Sequence, residues 1–164
     1  MLRKVYWIVP ALALFLLPAI ARAQFEQGNW ELTLAGQGSN DQDFRTYQAS
    51  LQGSLGYFLT KEFEVGVRQQ ISWADGGSAW GGSTRGALDY HFDFDRLWPF
   101  VGLSAGYSYN EPGDDQWVGG FELGVKYFLN STTFIEGVAG YDFALCQGLD
   151  QGGFIYSLAL GVKF

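Results

Sequence analysis

Ten ionisable side chains recur on one alternating parity of this chain: Glu31, Glu64, Arg68, Arg85, Asp89, Glu122, Lys126, Glu136, Asp142 and Lys163. Six are acids and four are bases. Charges withdrawn from water must be paired or hydrated, which leaves two chemistries open. A static network of ion pairs can fill and satisfy an interior. Alternatively, pairs such as Glu122 with Lys126, or Glu64 with Arg68, can rearrange as a gate and let ions pass. His91 is the only histidine and has the same parity, but no serine neighbours it in sequence. Cys146 is the only cysteine, so no intrachain disulfide can form. Its neighbours Gln147, Asp150 and Gln151 supply none of the positive charge that would activate a thiol. No phosphate-binding loop, metal-ligand spacing or catalytic triad is present, and no cofactor is expected.

The elements that would position these residues are strands. After Gln24 no segment has a convincing helical period, whereas alternation with period two recurs. At the C-terminus Phe154, Tyr156, Leu158, Leu160, Val162 and Phe164 share one face, and Ile155, Ser157, Ala159, Gly161 and Lys163 share the other. Eight strands are expected, at about 27–37, 45–59, 62–73, 80–92, 97–109, 116–128, 132–145 and 153–164. Tight connections at 59–62, 93–96 and 129–131 alternate with longer ones at 38–44, 74–79, 110–115 and 146–152. Short turns on one rim and longer loops on the other are the pattern of an up-and-down transmembrane barrel. The tripeptide of Tyr57, Phe58 and Leu59 recurs as Tyr127, Phe128 and Leu129, both times at a short-turn junction.

The small residues decide which face points inward. Ser50, Ser54, Gly56, Gly102, Ser104, Gly106, Gly120 and Gly124 share the parity of the charges, as a narrow eight-stranded lumen requires. The apolar face then meets lipid. Trp73, Trp80, Tyr109 and Trp117 border the longer loops, and Tyr57, Phe63, Tyr90, Trp98, Tyr127 and Phe164 lie near the short turns. Two such aromatic girdles are expected at the two interfaces. Lipid offers no partner to a free sheet edge, so the sheet must close. An even strand count puts both termini on the short-turn side. His91 then points inward near that rim, away from the outer leaflet where a lipid-modifying enzyme would work, and no enzyme activity is expected.

The export route is also written in the sequence. Arg3 and Lys4 precede an apolar run at 5–20, and Ala21, Arg22 and Ala23 make a small-x-small cleavage site. Residues 1–23 are expected to be a cleaved signal peptide and residues 24–164 one barrel domain. Removing the signal leaves seven of the ten basic residues against all 17 acids, a net charge of −10. That balance argues against nucleic acid as a partner. The loop acids Asp41, Asp43, Asp75, Glu111, Asp114, Asp115 and Asp150 make an acidic rim that divalent ions could bridge to anionic headgroups. Asn40 to Asp43 faintly resembles a calcium loop but lacks its glycine and final glutamate. Asn130-Ser131-Thr132 matches a glycosylation sequon, and Gly28-Asn29-Trp30 the G-x-W of lipocalins, both frequent by chance.

GYFLTKEFEVGV (56–67), LWPFVGLSAGYSY (97–109) and FIYSLALGVKF (154–164) resemble the outer-membrane β-barrel domain superfamily of small porin-like, opacity-type and outer-membrane protein A/X-like barrels. The resemblance spans nearly all of residues 24–164. It implies residence in the outer membrane of a Gram-negative-type bacterium, periplasmic chaperones in transit and insertion by the barrel-assembly machinery. That machinery recognises a last strand ending in an aromatic residue, a signal matched by Phe164 with Tyr156, Leu158, Leu160 and Val162. It implies no single activity; members serve in adhesion, envelope integrity and solute passage. The expected function is a monomeric outer-membrane barrel with a structural role and a polar, largely plugged lumen. The alternatives are a narrow porin-like channel and a secreted soluble barrel that binds a lipophile.

Overall fold

Bulky apolar residues alternating with small or polar ones suit an extended chain with two different surroundings, and all eight expected segments are strands. The computed structural model describes residues 25–40, 47–74, 79–111, 115–146 and 152–164. The expected signal peptide, with Gln24, and the loop residues Asp41, Asp43, Asp75, Asp114 and Asp150 lie outside these. The strands are β1 (Trp30–Asn40), β2 (Tyr47–Phe58), β3 (Phe63–Ala74), β4 (Ala79–His91), β5 (Leu97–Glu111), β6 (Gln116–Phe128), β7 (Thr133–Ala144) and β8 (Gly153–Lys163). Each pairs antiparallel with the next, and β1 returns to β8 through pairs such as Leu34 with Leu160, closing the barrel. β1 starts at Trp30, three residues later than the alternation suggests, because Gln27 and Gly28 form a turn.

Short side chains hold the tight turns. In the β2–β3 turn the Thr60 hydroxyl accepts the amides of Phe63 (3.0 Å) and Glu62 (3.3 Å). Half a barrel away, in the β6–β7 turn, Asn130 Oδ1 accepts those of Thr133 (2.8 Å) and Thr132 (2.9 Å). Both are local bonds of the kind that make Thr and Asn turn residues. The Asn130 amide of the sequon is therefore a turn cap. The β4–β5 turn uses Asp93 Oδ1, which accepts the amide of Asp95 (3.0 Å), and sets Asp95 at φ 63°.

The barrel is inside out relative to a soluble one. Leu123, Leu158 and Phe154 are 63%, 66% and 75% exposed on the outer face. Glu31, Glu64, Asp89, Glu122 and Lys126 are buried on the inner one. The inner glycines make room for their neighbours. A methyl group at Gly56 would overlap the Glu64 carboxylate, one at Gly102 the Asp89 carboxylate, and one at Gly124 the Phe100 ring.

The outer face carries Trp73, Trp80 and Trp117, all exposed, with Tyr109 half-buried, toward the longer connections. Toward the short turns it carries Phe63, Tyr90, Tyr127 and Phe164, with Tyr57 against Trp30 at 4.9 Å. Trp98 departs from the expected girdle. It is fully buried and points inward, its indole N–H donating to the Asp95 carbonyl at 2.8 Å. It shares the parity of Gly102, Ser104 and Gly106, and at the short-turn mouth a large ring is needed to fill the lumen.

Candidate functional site

The inward charges form three tiers along the lumen. In the lowest, Lys126 Nζ on β6 reaches Glu31 on β1 (2.6 Å), Glu64 on β3 (2.9 Å) and, more distantly, Glu136 on β7 (3.8 Å). In the next, the Arg68 guanidinium bridges Asp89 on β4 (2.7 Å) and both carboxylate oxygens of Glu122 on β6. In the third, Arg85 pairs with Asp142 at 2.7 Å. Lys163 stands at the mouth, its ammonium 5.9 Å from the Phe25 ring.

The structure brings together nine of the ten expected residues but corrects their partners. Glu122 pairs with Arg68 and not with Lys126; Glu64 pairs with Lys126 and not with Arg68. Residues four apart on one strand are separated by about 13 Å, so charged groups meet across the lumen. Each tier contains a bond between strands that are not neighbours, Lys126 with Glu31 and Glu64, Arg68 with Glu122 and Arg85 with Asp142, and these bonds exist only in the closed barrel. A cavity of about 70 Å³ lies among Gln52, Gln70, Arg68, Arg85, Glu122 and Asp142. That is room for about two water molecules.

Beneath the lowest tier lies an aromatic floor that alternation alone did not single out. Phe25, Phe58, Trp98, Phe128 and Phe134 form one fully buried cluster at the short-turn mouth. The Lys126 ammonium sits over the rings of Phe25 (5.2 Å), Phe100 (5.3 Å), Phe58 (5.5 Å) and Phe134 (5.5 Å). Ring faces and carboxylates both suit a desolvated ammonium. Besides Trp98, whose parity is that of Gly102, three of the floor residues had a signal. Phe58, Phe128 and Phe134 share the parity of the inward charges, and the first two belong to the repeated junction.

His91 is inward and wholly buried, as its parity implies. Its ring lies 5.0 Å from Phe100 and 5.2 Å from Phe58. Nε2 is 3.4 Å from Glu64, and neither ring nitrogen is hydrogen-bonded. Among the described residues no group of three His, Cys, Asp or Glu side chains is disposed to hold a metal ion. Cys146 is exposed in the turn that follows β7.

A closed ring of eight antiparallel strands with an apolar outside and ion pairs inside has the fold of the small outer-membrane barrels. Among solved structures the chain is similar to the N-terminal β-barrel domain of Pseudomonas aeruginosa OprF (TM-score 0.66, 20% identity), over 85% of this chain and 100% of that one. It is similar to the outer membrane protein OprG of Pseudomonas aeruginosa (TM-score 0.58, 14% identity; 88% and 99% covered). It is also similar to the Yersinia pestis outer membrane protein Ail in a phospholipid bilayer nanodisc (TM-score 0.58, 9% identity; 84% and 100% covered). At these identities the likeness is one of fold. No protein-family model matches the chain, and no curated protein matches it in sequence.

Proposed function

We propose that this protein is a non-enzymatic, monomeric barrel of the bacterial outer membrane with a structural, envelope-maintaining role. Its lumen is filled by the three ion-pair tiers and closed at the short-turn mouth by the aromatic floor. The observation that carries the reading is the inversion of the two faces: fully buried Lys126 bonded to two buried glutamates inside, exposed Leu and Phe outside. Lipid is the solvent that suits the outer face, and OprG and Ail, which share the fold, are outer membrane proteins by name. A soluble lipophile carrier would need the opposite arrangement, with its apolar face lining the interior.

A narrow channel is the second reading, supported by the cavity between the Arg68 and Arg85 tiers. Single-channel recording of the refolded protein in a planar bilayer separates the two. An inserted but silent barrel is the expected result. Steady openings that change when Glu122 or Lys126 is neutralised would replace the structural role by a gated pore.

Delivery to that membrane is proposed to use periplasmic chaperones and the barrel-assembly machinery, with the outward row of Tyr156, Leu158, Leu160, Val162 and Phe164 as the signal. Phe164 also closes the barrel: its N–H donates to the Trp30 carbonyl (2.9 Å), and its carbonyl accepts from the Trp30 N–H (2.8 Å). Deleting Phe164 is therefore expected to slow assembly while leaving export intact. The check is pulse-chase labelling with a folded-barrel gel shift; unchanged assembly kinetics would remove the terminal signal.

A further inference from the structure

Phe25 is the one ring of the aromatic floor that no strand carries. It belongs to the segment ahead of β1, yet its side chain is fully buried inside the mouth. It stacks on Phe58 with centroids 4.0 Å apart and planes at 13°. It meets Trp98 and Phe128 edge-on, each at 5.2 Å, and Phe134 at 5.9 Å. Lys126 and Lys163 hold their ammonium groups 5.2 and 5.9 Å from the same ring.

The attachment of this ring differs from that of its neighbours. Phe58, Trp98, Phe128 and Phe134 are fixed by strands paired on both sides. Between Phe25 and β1 stands Gly28 at φ +90°, a conformation glycine adopts readily. The ladders close without the segment: Trp30 exchanges both backbone bonds with Phe164 and pairs with Tyr57. Ahead of Asn29, the described backbone bond from the segment to the barrel is the Gly28 N–H to the Phe58 carbonyl, at 2.9 Å. The other described bonds are internal: the Asn29 N–H to the Glu26 carbonyl (3.1 Å) and the Glu26 N–H to Asn29 Oδ1 (2.9 Å). Withdrawing Phe25 about Gly28 therefore breaks ring contacts, the attraction of Glu26 to Lys163 and one backbone bond, but no rung of the β1–β2 or β1–β8 ladder.

We propose that the segment at 25–28 is a reversible stopper: Phe25 plugs the short-turn mouth and withdraws about Gly28 while the barrel stays closed. In the plugged state it shields the Lys126–Glu31–Glu64 cluster from water and small solutes. In the withdrawn state it opens a lumen lined by Phe58, Trp98, Phe128 and Phe134. The withdrawal needs only the folded barrel. Which compartment the mouth faces rests on the membrane reading above.

The test uses the barrel folded in detergent, with Cys146→Ser to remove the native thiol and Phe58→Cys as a reporter behind Phe25. A water-soluble maleimide is expected to label the reporter slowly when Phe25 is present. Labelling should be about ten- to a hundredfold faster with Phe25→Ala, the factor corresponding to burial of one such ring. Equal rates with and without Phe25, or labelling only on global unfolding, would overturn the stopper. A second measurement needs no reporter. In the unmodified protein the Gly28 amide is expected to exchange its hydrogen well before the Trp30 amide, because only the former opens with the stopper. Exchange of the two together would make Phe25 a permanent part of the core. The folded-barrel gel shift and detergent partition report separately on the membrane reading, so the two ideas can fail independently.

Discussion

Replacing Lys126 by methionine is expected to destabilise the folded barrel by about 3–5 kcal/mol, the cost of leaving a buried charge without its partner. Methionine is unbranched and adaptable, so the loss would come from charge more than from a cavity. Lys126 is 1% exposed and bonds to Glu31 at 2.6 Å and Glu64 at 2.9 Å, both themselves buried. Without the ammonium those carboxylates face each other with Glu136 nearby. The measurement is urea unfolding in lipid vesicles, followed by the folded-barrel gel shift. Adding Glu31→Gln and Glu64→Gln to the methionine variant should recover most of the loss, since amides can bond to one another where carboxylates repel. A loss below about 1 kcal/mol would instead be the value of an exposed pair and would remove Lys126 from the centre of the interior.

The second large effect belongs to the outer face. Leu160 is 55% exposed, and its cross-strand neighbours are Leu34 on β1 and Ile135 on β7, also outward. Arginine there should cost roughly 2–4 kcal/mol near the bilayer midplane and block insertion. Leu158→Arg should behave alike. Ala159→Ser, one residue away but inward, should assemble normally. The readout is the fraction of newly made chain recovered as folded barrel in the membrane. Normal assembly of Leu160→Arg would mean that this face does not meet lipid.

The strands and the side each residue faces were legible because a closed barrel imposes one period on every strand. Gly102, Ser104 and Gly106 marked the inner face of β5 by size alone. Trp98 has their parity, yet its place near a short turn suggested a girdle; alternation was the better guide. The partners of Lys126 were not legible. They depend on the stagger of strands that are not neighbours, and no local pattern encodes which tier β1, β3 and β6 share. Phe25 was hidden for another reason. It precedes the first strand, so no alternation reaches it, and only the empty mouth of a closed barrel gives its ring a place.

The two turns that Thr60 and Asn130 hold lie four strands apart in a ring of eight. The scaffold therefore has an approximate twofold axis down its centre, carrying Tyr57, Phe58 and Leu59 onto Tyr127, Phe128 and Leu129. One step further into the lumen the symmetry breaks: Lys126 falls opposite Gly56. Strict repetition would put two lysines against one set of glutamates, and Gly56 has no room for any side chain beside the Glu64 carboxylate. In this lowest tier the positive charge thus comes from β6 alone, and the negative charges it meets most closely come from β1 and β3. A symmetric frame encloses a one-sided cluster, its ammonium held on one wall of the barrel and its closest carboxylates on the other.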